Sequence, residues 1–306
     1  MPTAEISVAI CTYNREKYLP QLFASIVAQT LEPQRFEILL IDNNSPGNTR
    51  ELFEKFIESN PTFTAHYFLE TSQGLSHARN RSIQEAKAQL ITFLDDDAFI
   101  APNYLETLVK EFQEFPECGA IGGPIHLHYE EVKPTWENPY LNSLLGYFDQ
   151  GTQAFFFEKD YPRGSNMAFR TSVFERIGCF NVELGRIGQR LYGGEEKDLF
   201  NRIYRASISV RYVPHAMVYH CVPMERTTFE FIKKQALGTG ISERLRSKNE
   251  GTISYVKRLI SEGIKWSGSI ILWFLYAFRG QVAKGNMILF FRFWVTRGLL
   301  FKYQGT

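Results

Sequence analysis

The chain has 306 residues, 44% hydrophobic and 22% charged, with a formal net charge of +1. This length makes one large domain or two modest ones and buries a core without disulfide staples; the composition excludes a disordered, collagen-like or low-complexity chain. From Tyr255 onward there are eight basic residues (Lys257, Arg258, Lys265, Arg279, Lys284, Arg292, Arg297, Lys302) against one acid, Glu262, a net +7 that leaves −6 for the first 254 residues, so a basic tail follows an acidic body.

Taken in order, the first 130 residues alternate between two hydrophobic periods. Ile6–Cys11 predicts a buried strand, and Tyr18–Thr30 predicts a helix from apolar residues at Tyr18/Leu19, Leu22/Phe23 and Ile26/Val27. Phe36–Ile41 predicts a second strand, closed by the turn-rich run Asp42 to Gly47. A helix over Thr49–Ser59, a strand over Thr62–Leu69, a helix over Ser76–Ala88 and a strand over Ala88–Leu94 follow, and Pro102 opens another helix. Beyond Cys118–Leu127 the pattern loosens. Tyr129–Gly151 reads as a loop-rich insertion, and Arg163 to Asn166 as a turn. A helix begins after Gly193-Gly194, short strands cover Val210–Val213 and Ala216–Tyr219, and the chain is expected to be helical from Thr227 on.

Strand–helix alternation implies βαβ units and a mostly parallel sheet with helices on both faces. Such sheets bind ligands beyond the carboxyl ends of their strands. The residues after the first strand (Thr12, Asn14, Arg15), the second (Asp42, Asn44) and the third (Asp95, Asp96, Asp97) are therefore expected to open into one crevice. Three adjacent carboxylates repel one another unless a cation sits among them, and their hard oxygens suit Mg²⁺ or Mn²⁺; the alternative is a solvated acidic turn. In Gly194-Glu195-Glu196-Lys197-Asp198 the acids occupy a first helical turn, where the helix dipole alone also favours them. His220 follows an apolar strand, and Arg226, Lys233 and Lys234 follow it as cations suited to phosphate. His126 and His128 share a strand face, a spacing read as structural. Four scattered cysteines (Cys11, Cys118, Cys179, Cys221) without a CxxC pair imply reduced thiols, and Met1–Glu5 shows no charged leader, so a cytoplasmic protein without a secretory signal is expected.

Together these segments resemble the family-2 glycosyltransferases of GT-A fold, over residues 6 to about 240. The resemblance rests on Val8-Ala9-Ile10-Cys11-Thr12-Tyr13-Asn14, Ile41-Asp42-Asn43-Asn44-Ser45, Gly74-Leu75-Ser76-His77-Ala78-Arg79-Asn80, Leu94-Asp95-Asp96-Asp97, Gly164-Ser165-Asn166-Met167-Ala168-Phe169-Arg170 and Gly194-Glu195-Glu196-Lys197-Asp198-Leu199, in that order. It implies an α/β GT-A domain over 1–226, with a nucleotide-binding half (1–127) and an acceptor half (128–226), followed by a helical region over 227–306. It further implies an inverting, metal-dependent transfer of a sugar from a nucleotide diphosphate donor, a UDP-sugar, to a hydroxyl of a saccharide or lipid-linked saccharide.

The resemblance assigns Thr12, Tyr13, Asn14, Arg15, Asp42, Asn44, Arg79, Asn80, Asp95 and Asp96 to the nucleotide, and Asp95, Asp97 and His220 to a Mg²⁺ or Mn²⁺ ion. Gly164, Asn166, Asp198 and Arg226 fall to the acceptor and phosphate side. The family's base is the Asp after a Glu; here that position is Glu196, which leaves Glu196 and Glu195 as candidates. A nucleotidyltransferase, the competing enzyme class, carries a Gly-rich basic signature that Cys11–Tyr18 lacks. A non-catalytic carbohydrate- or nucleotide-binding module is disfavoured by the intact acids.

In the tail, Ser269–Phe278 is uncharged; extended back to Trp266 it makes a helix of roughly 20 Å, short of the ~30 Å hydrocarbon core. Met287–Phe301 is broken by Arg292 and Arg297. Cationic, Trp/Phe-rich helices of this kind suit an anionic membrane surface, so peripheral attachment at the inner face of the cytoplasmic membrane is expected; the alternative is a contact between two copies. No nucleic-acid partner is expected.

Overall fold

The computed structural model describes residues 4–185 and 194–301; Gly193 and Lys302, both used above, lie outside the described residues. The chain forms two compact units, one made of residues up to His126 with Phe148–Cys221, the other of Leu127–Tyr147 with the residues from Val222 onward. The segment 127–147 thus groups with the C-terminal helices, whereas the sequence suggested a boundary at 226/227.

The first unit is built on strands β1 (Ile6–Thr12), β2 (Phe36–Asp42), β3 (Thr64–Leu69) and β4 (Leu90–Asp95), with helices α1 (Leu19–Val27), α2 (Thr49–Ser59) and α3 (Leu75–Glu85) between them. β5 (Ala98–Ile100), α4 (Tyr104–Glu114) and β6 (Cys118–Gly122) follow, and β7 (Ile125–Tyr129) begins in this unit and ends in the second. Then come β8 (Phe155–Phe156), β9 (Met167–Arg170), α5 (Ser172–Ile177), α6 (Glu195–Arg205), β10 (Ser209–Tyr212) and β11 (Val218–Val222). The main sheet runs β3-β2-β1-β4-β9-β6-β10-β8, and a small sheet runs β5-β11-β7. The β3-β2-β1-β4 half is parallel, and β9 enters antiparallel to both β4 and β6.

β1 and β2 are apolar almost throughout because both of their faces are covered. Ile38 and Leu40 join the main core with Leu19, Leu22 and Phe53 from α1 and α2, whereas Leu39 and Ile41 meet Ala78 of α3 on the other face. Each such fully buried side chain contributes roughly 1.5–3 kcal/mol. One buried acid interrupts β2, and it is satisfied: Glu37 accepts from the Ser7 hydroxyl at 2.6 Å and the Lys87 amide at 2.7 Å.

The second unit contains α7 (Phe229–Asn249), α8 (Thr252–Phe278) and α9 (Val282–Leu300). Its core gathers Trp136, Leu141, Leu145, Ile232, Met287 and Ile288. The Trp136 indole donates to the Thr227 carbonyl at 3.1 Å, which ties the insertion to the start of the helices. α7 and α9 meet at glycines: a Cβ on Gly240 would lie 2.1 Å from the Val295 carbonyl oxygen, and one on Gly298 2.5 Å from that of Leu237.

The expected elements recur with shifted ends. The helix expected to run on to Ala88 stops at Glu85, and the strand placed at Ala216–Tyr219 is Val218–Val222, because Ala216 closes a turn onto the Val213 carbonyl. β5, β9 and α5, too short to show a period, were not anticipated.

Candidate active site

Parallel register brings the carboxyl ends of the central strands side by side. Thr12 pairs with Asp42, and Cys11 with Asp95. The antiparallel pairing of Phe93 with Met167 carries the loop before β9, with Gly164, to the same edge. Residues from four distant parts of the chain converge there because strand order and register place them.

At the β1 edge, Tyr13 and Asn14 are exposed. Asn14 and Asn44 both adopt positive φ (54° and 66°), a conformation asparagine tolerates better than most residues. Asp42 is buried at the end of β2 and oriented from both sides: its Oδ1 accepts from the Ser45 amide at 2.8 Å and its Oδ2 from the Tyr67 hydroxyl at 2.7 Å. Tyr67 and Ser45 are positioning residues that sequence reasoning missed. The Asp-x-x-Ser spacing was a usable signal for Ser45, as an Asx-type turn.

The three aspartates do not act alike. Asp96 and Asp97 are buried, whereas Asp95 is half-exposed. Asp96 accepts from the Thr12 hydroxyl at 2.9 Å, and the Arg15 guanidinium reaches it at 3.4 Å and also bonds Asp97. Burial, and then the Asp97 charge, push the Asp96 carboxyl up to about 7 against the opposing pull of Arg15. Asp97 lies 3.3 Å from Nδ1 of His220. Asp95 instead faces Arg79 at 3.7 Å. The expected trio Asp95, Asp97 and His220 is therefore divided into an Asp97–His220 pair and an Asp95–Arg79 pair. Among the described residues no three His, Cys, Asp or Glu side chains converge as a metal cage.

Arg79 is the pivot of the second half of the site. It is only 2% exposed, lies over the Phe180 ring at 5.3 Å, and reaches Glu195 and Glu196 at 3.4 Å each. Arg79, which the resemblance assigns to the nucleotide, lies in the interior against three carboxylates, Asp95, Glu195 and Glu196. Glu195 is buried, while Glu196 keeps about a quarter of its side chain exposed (23%). Burial raises the Glu196 carboxyl above its ordinary value; the Arg79 charge opposes this, and Glu195 and Asp95 add to it. A Cβ on Gly164 would fall 2.2 Å from Oε1 of Glu196 and 2.8 Å from Nη2 of Arg79, so any side chain there would displace the Glu196 carboxylate and the Arg79 guanidinium from their present positions.

Two further candidates have structural tasks. Asn166 is fully buried; it donates to the Pro124 and Ala216 carbonyls at 3.0 and 2.8 Å and accepts from the Tyr104 hydroxyl at 3.0 Å. Asn80 donates to the Phe180 carbonyl and accepts from the Phe180 amide, both at 2.9 Å, and so fixes the residue under Arg79. Asp198 pairs with Arg202 at 2.9 Å one turn along α6. Arg226 lies in the turn Met224–Thr227 of the second unit. His126 pairs with Asp149 at 2.9 Å, in keeping with its structural reading.

The buried acids, the two arginines and the oriented aspartate all gather at the carboxyl edge of a mostly parallel sheet, where sheets of this kind bind their ligands, and the α/β architecture is that of the GT-A fold. The family described as Glycosyl transferase family 2 matches residues 7–178, more than half of the chain, and the protein belongs to that family. Among curated relatives, a glucosyl-dolichyl phosphate glucuronosyltransferase of Haloferax volcanii is 26% identical over 244 residues, covering 79% of this chain and 77% of the relative. The succinoglycan biosynthesis protein ExoM of Rhizobium meliloti is 25% identical over 240 residues, covering 78% and 74%. Among solved structures, the mannosyltransferase PcManGT from Pyrobaculum calidifontis, in complex with GDP-Man and Mn²⁺, shares the fold with a TM-score of 0.60 at 14% identity, over 98% of this chain and 88% of that one.

Proposed function

We propose that the protein is an inverting glycosyltransferase. It moves a sugar from a UDP-sugar to a hydroxyl of a saccharide or lipid-linked saccharide, in polysaccharide or glycoconjugate synthesis, peripherally at the inner face of the cytoplasmic membrane. The observation that carries this reading is Glu196: a partly exposed carboxylate with a raised affinity for protons, held by Arg79 and a glycine loop beside Asp95. The likeness to a glucosyl-dolichyl phosphate glucuronosyltransferase and to a succinoglycan biosynthesis protein supports the acceptor class.

In a single displacement the acceptor oxygen bonds the anomeric carbon as the bond from that carbon to the diphosphate oxygen breaks. Glu196 takes the acceptor's proton, a contribution of roughly 10²–10⁴-fold. The negative charge passes to the leaving diphosphate, beside Arg15 and Asn14. No enzyme nucleophile takes part, so the anomeric centre inverts. Asp42, held by Ser45 and Tyr67, keeps lone pairs free to accept a ring N–H of the base. Thr12 fixes Asp96, and Arg79 sets the orientation of Glu196.

A divalent cation fits this site by donor chemistry: a buried carboxylate oxygen of Asp97 and an imidazole nitrogen of His220 lie 3.3 Å apart, beside an acid pair whose mutual repulsion calls for positive charge. Asp97 and His220 would hold Mg²⁺ or Mn²⁺, with diphosphate and water as the remaining donors. When bound, such an ion supplies Lewis-acid stabilisation of the leaving diphosphate.

A thermal-shift panel of nucleoside diphosphates and sugar nucleotides, with and without Mn²⁺, tests the reading. The correct donor raises the melting temperature by mass action. A panel in which none stabilises the protein and none is turned over contradicts it.

A further inference from the structure

We infer that one face of α8 is a membrane-docking surface that lies in the plane of a bilayer interface bearing anionic headgroups. This rests on the peripheral reading above and names the face responsible. Ile253, Ile260, Ile264, Ile271, Phe274 and Phe278 recur at steps of seven, four and three residues, which places them on one side of a helix. All six are between 53% and 87% exposed. A stripe of that length runs roughly 38 Å along the helix, at about 1.5 Å per residue.

This stripe is not the signal that the sequence suggested. The tryptophans of the tail face inward: Trp266 donates its indole N–H to Thr296 and Trp273 to Asn286, both at 2.8 Å and both on α9. The isoleucines are left outside. No helix among the described residues is long and apolar enough to cross a membrane, so a bilayer would meet this stripe from one side.

Charge selects the occupant. Glu262, the one acid of α8, is 3% exposed and paired with Arg258 and Arg292. Lys257 and Lys265 are exposed on the same helix, and Arg279 follows its end. The exposed charges beside the stripe are thus positive, within a segment of net +7. Two copies meeting through this face would bring Lys257, Lys265 and Arg279 against the same three cations, whereas anionic headgroups complement them. An amphipathic helix with a basic flank buries its apolar side about 5–10 Å into the headgroup boundary.

The experiment is flotation of the full chain with phosphatidylcholine vesicles, with and without phosphatidylglycerol, alongside light scattering. Wild-type protein should float with the phosphatidylglycerol vesicles. The doubly substituted I260E/I264E should float at least tenfold less while keeping its melting temperature and its sugar-nucleotide binding. The milder I271S/F274S keeps the test valid if acidic substitutions disturb folding, and K257E/K265E should remove the preference for phosphatidylglycerol. If wild-type and both stripe variants float equally, the peripheral reading stands and the α8 face is wrong. If wild-type protein floats with neither vesicle, both fall. A dimer that the stripe variants abolish, without flotation, overturns the membrane in favour of a second copy.

Discussion

Both units bury charge, and they do it differently. In the helical unit, Glu262 receives Arg258 at 2.9 Å and Arg292 at 3.0 Å, and Arg258 also reaches Glu243 at 2.8 Å. Arg246 joins the same network through Glu243 and Glu250, both at 2.9 Å, so its acids and guanidiniums match three for three. At the sheet edge, Asp95, Asp96, Asp97, Glu195 and Glu196 share Arg15 and Arg79. There the acids outnumber the guanidiniums five to two among the described residues. The balanced network holds three helices in register. The unbalanced one leaves carboxyls that bind protons more readily than usual, which is the property a general base or a cation site needs.

Breaking the balanced network should have the largest effect on stability. Glu262→Leu takes the shared partner from two partly buried guanidiniums, of which Arg258 keeps Glu243, and should cost about 2–4 kcal/mol, read by urea denaturation of the full chain. Replacing Arg258 and Arg292 by Met in the same variant should recover most of that loss; no recovery would mean that the network is not a closed charge balance. At the other site, Asp97→Ala should cut transfer by more than about 10²-fold and remove the dependence of donor binding on Mn²⁺, while the melting curve stays cooperative. Full activity of that variant in chelator would remove Asp97 from the mechanism.

A smaller effect lies in the pH profile. The raised Glu196 carboxyl becomes protonated at higher pH than an ordinary glutamate, and the protonated form cannot accept the acceptor's proton. The rate should therefore fall, as pH is lowered, through a limb above the usual carboxylate range. Arg79→Met, which removes the opposing charge, should move that limb higher still. A limb at the ordinary glutamate position would show that Glu196 is not the titrating base.

The alternation of apolar strands and amphipathic helices, and the acids that close β4 and open α6, were legible in the sequence because each is a local pattern. The partnerships were not. Arg15 meets Asp96 and Asp97 across more than 80 residues, and Arg79 meets Glu195 and Glu196 across more than 115. Nothing local marks such pairs. Asn166 sat in a motif that suggested ligand contact, yet its amide is consumed by two backbone carbonyls and a tyrosine. The isoleucines of α8 were hidden for a related reason. Periodicity shows that a helix has an apolar face, but only packing shows that α9 takes the tryptophan side and leaves the isoleucines outside.

The central claim is that Glu196, not its buried neighbour, accepts the proton. The most direct measurement compares Glu196→Gln with Glu195→Gln in turnover and in donor affinity by titration. Glu196→Gln should bind donor nearly as wild type does and turn over roughly 10²–10⁴-fold more slowly. Glu195→Gln, which alters the more buried of the two glutamates on Arg79, should retain most of its rate. Loss of turnover in Glu195→Gln with full activity in Glu196→Gln would contradict the assignment.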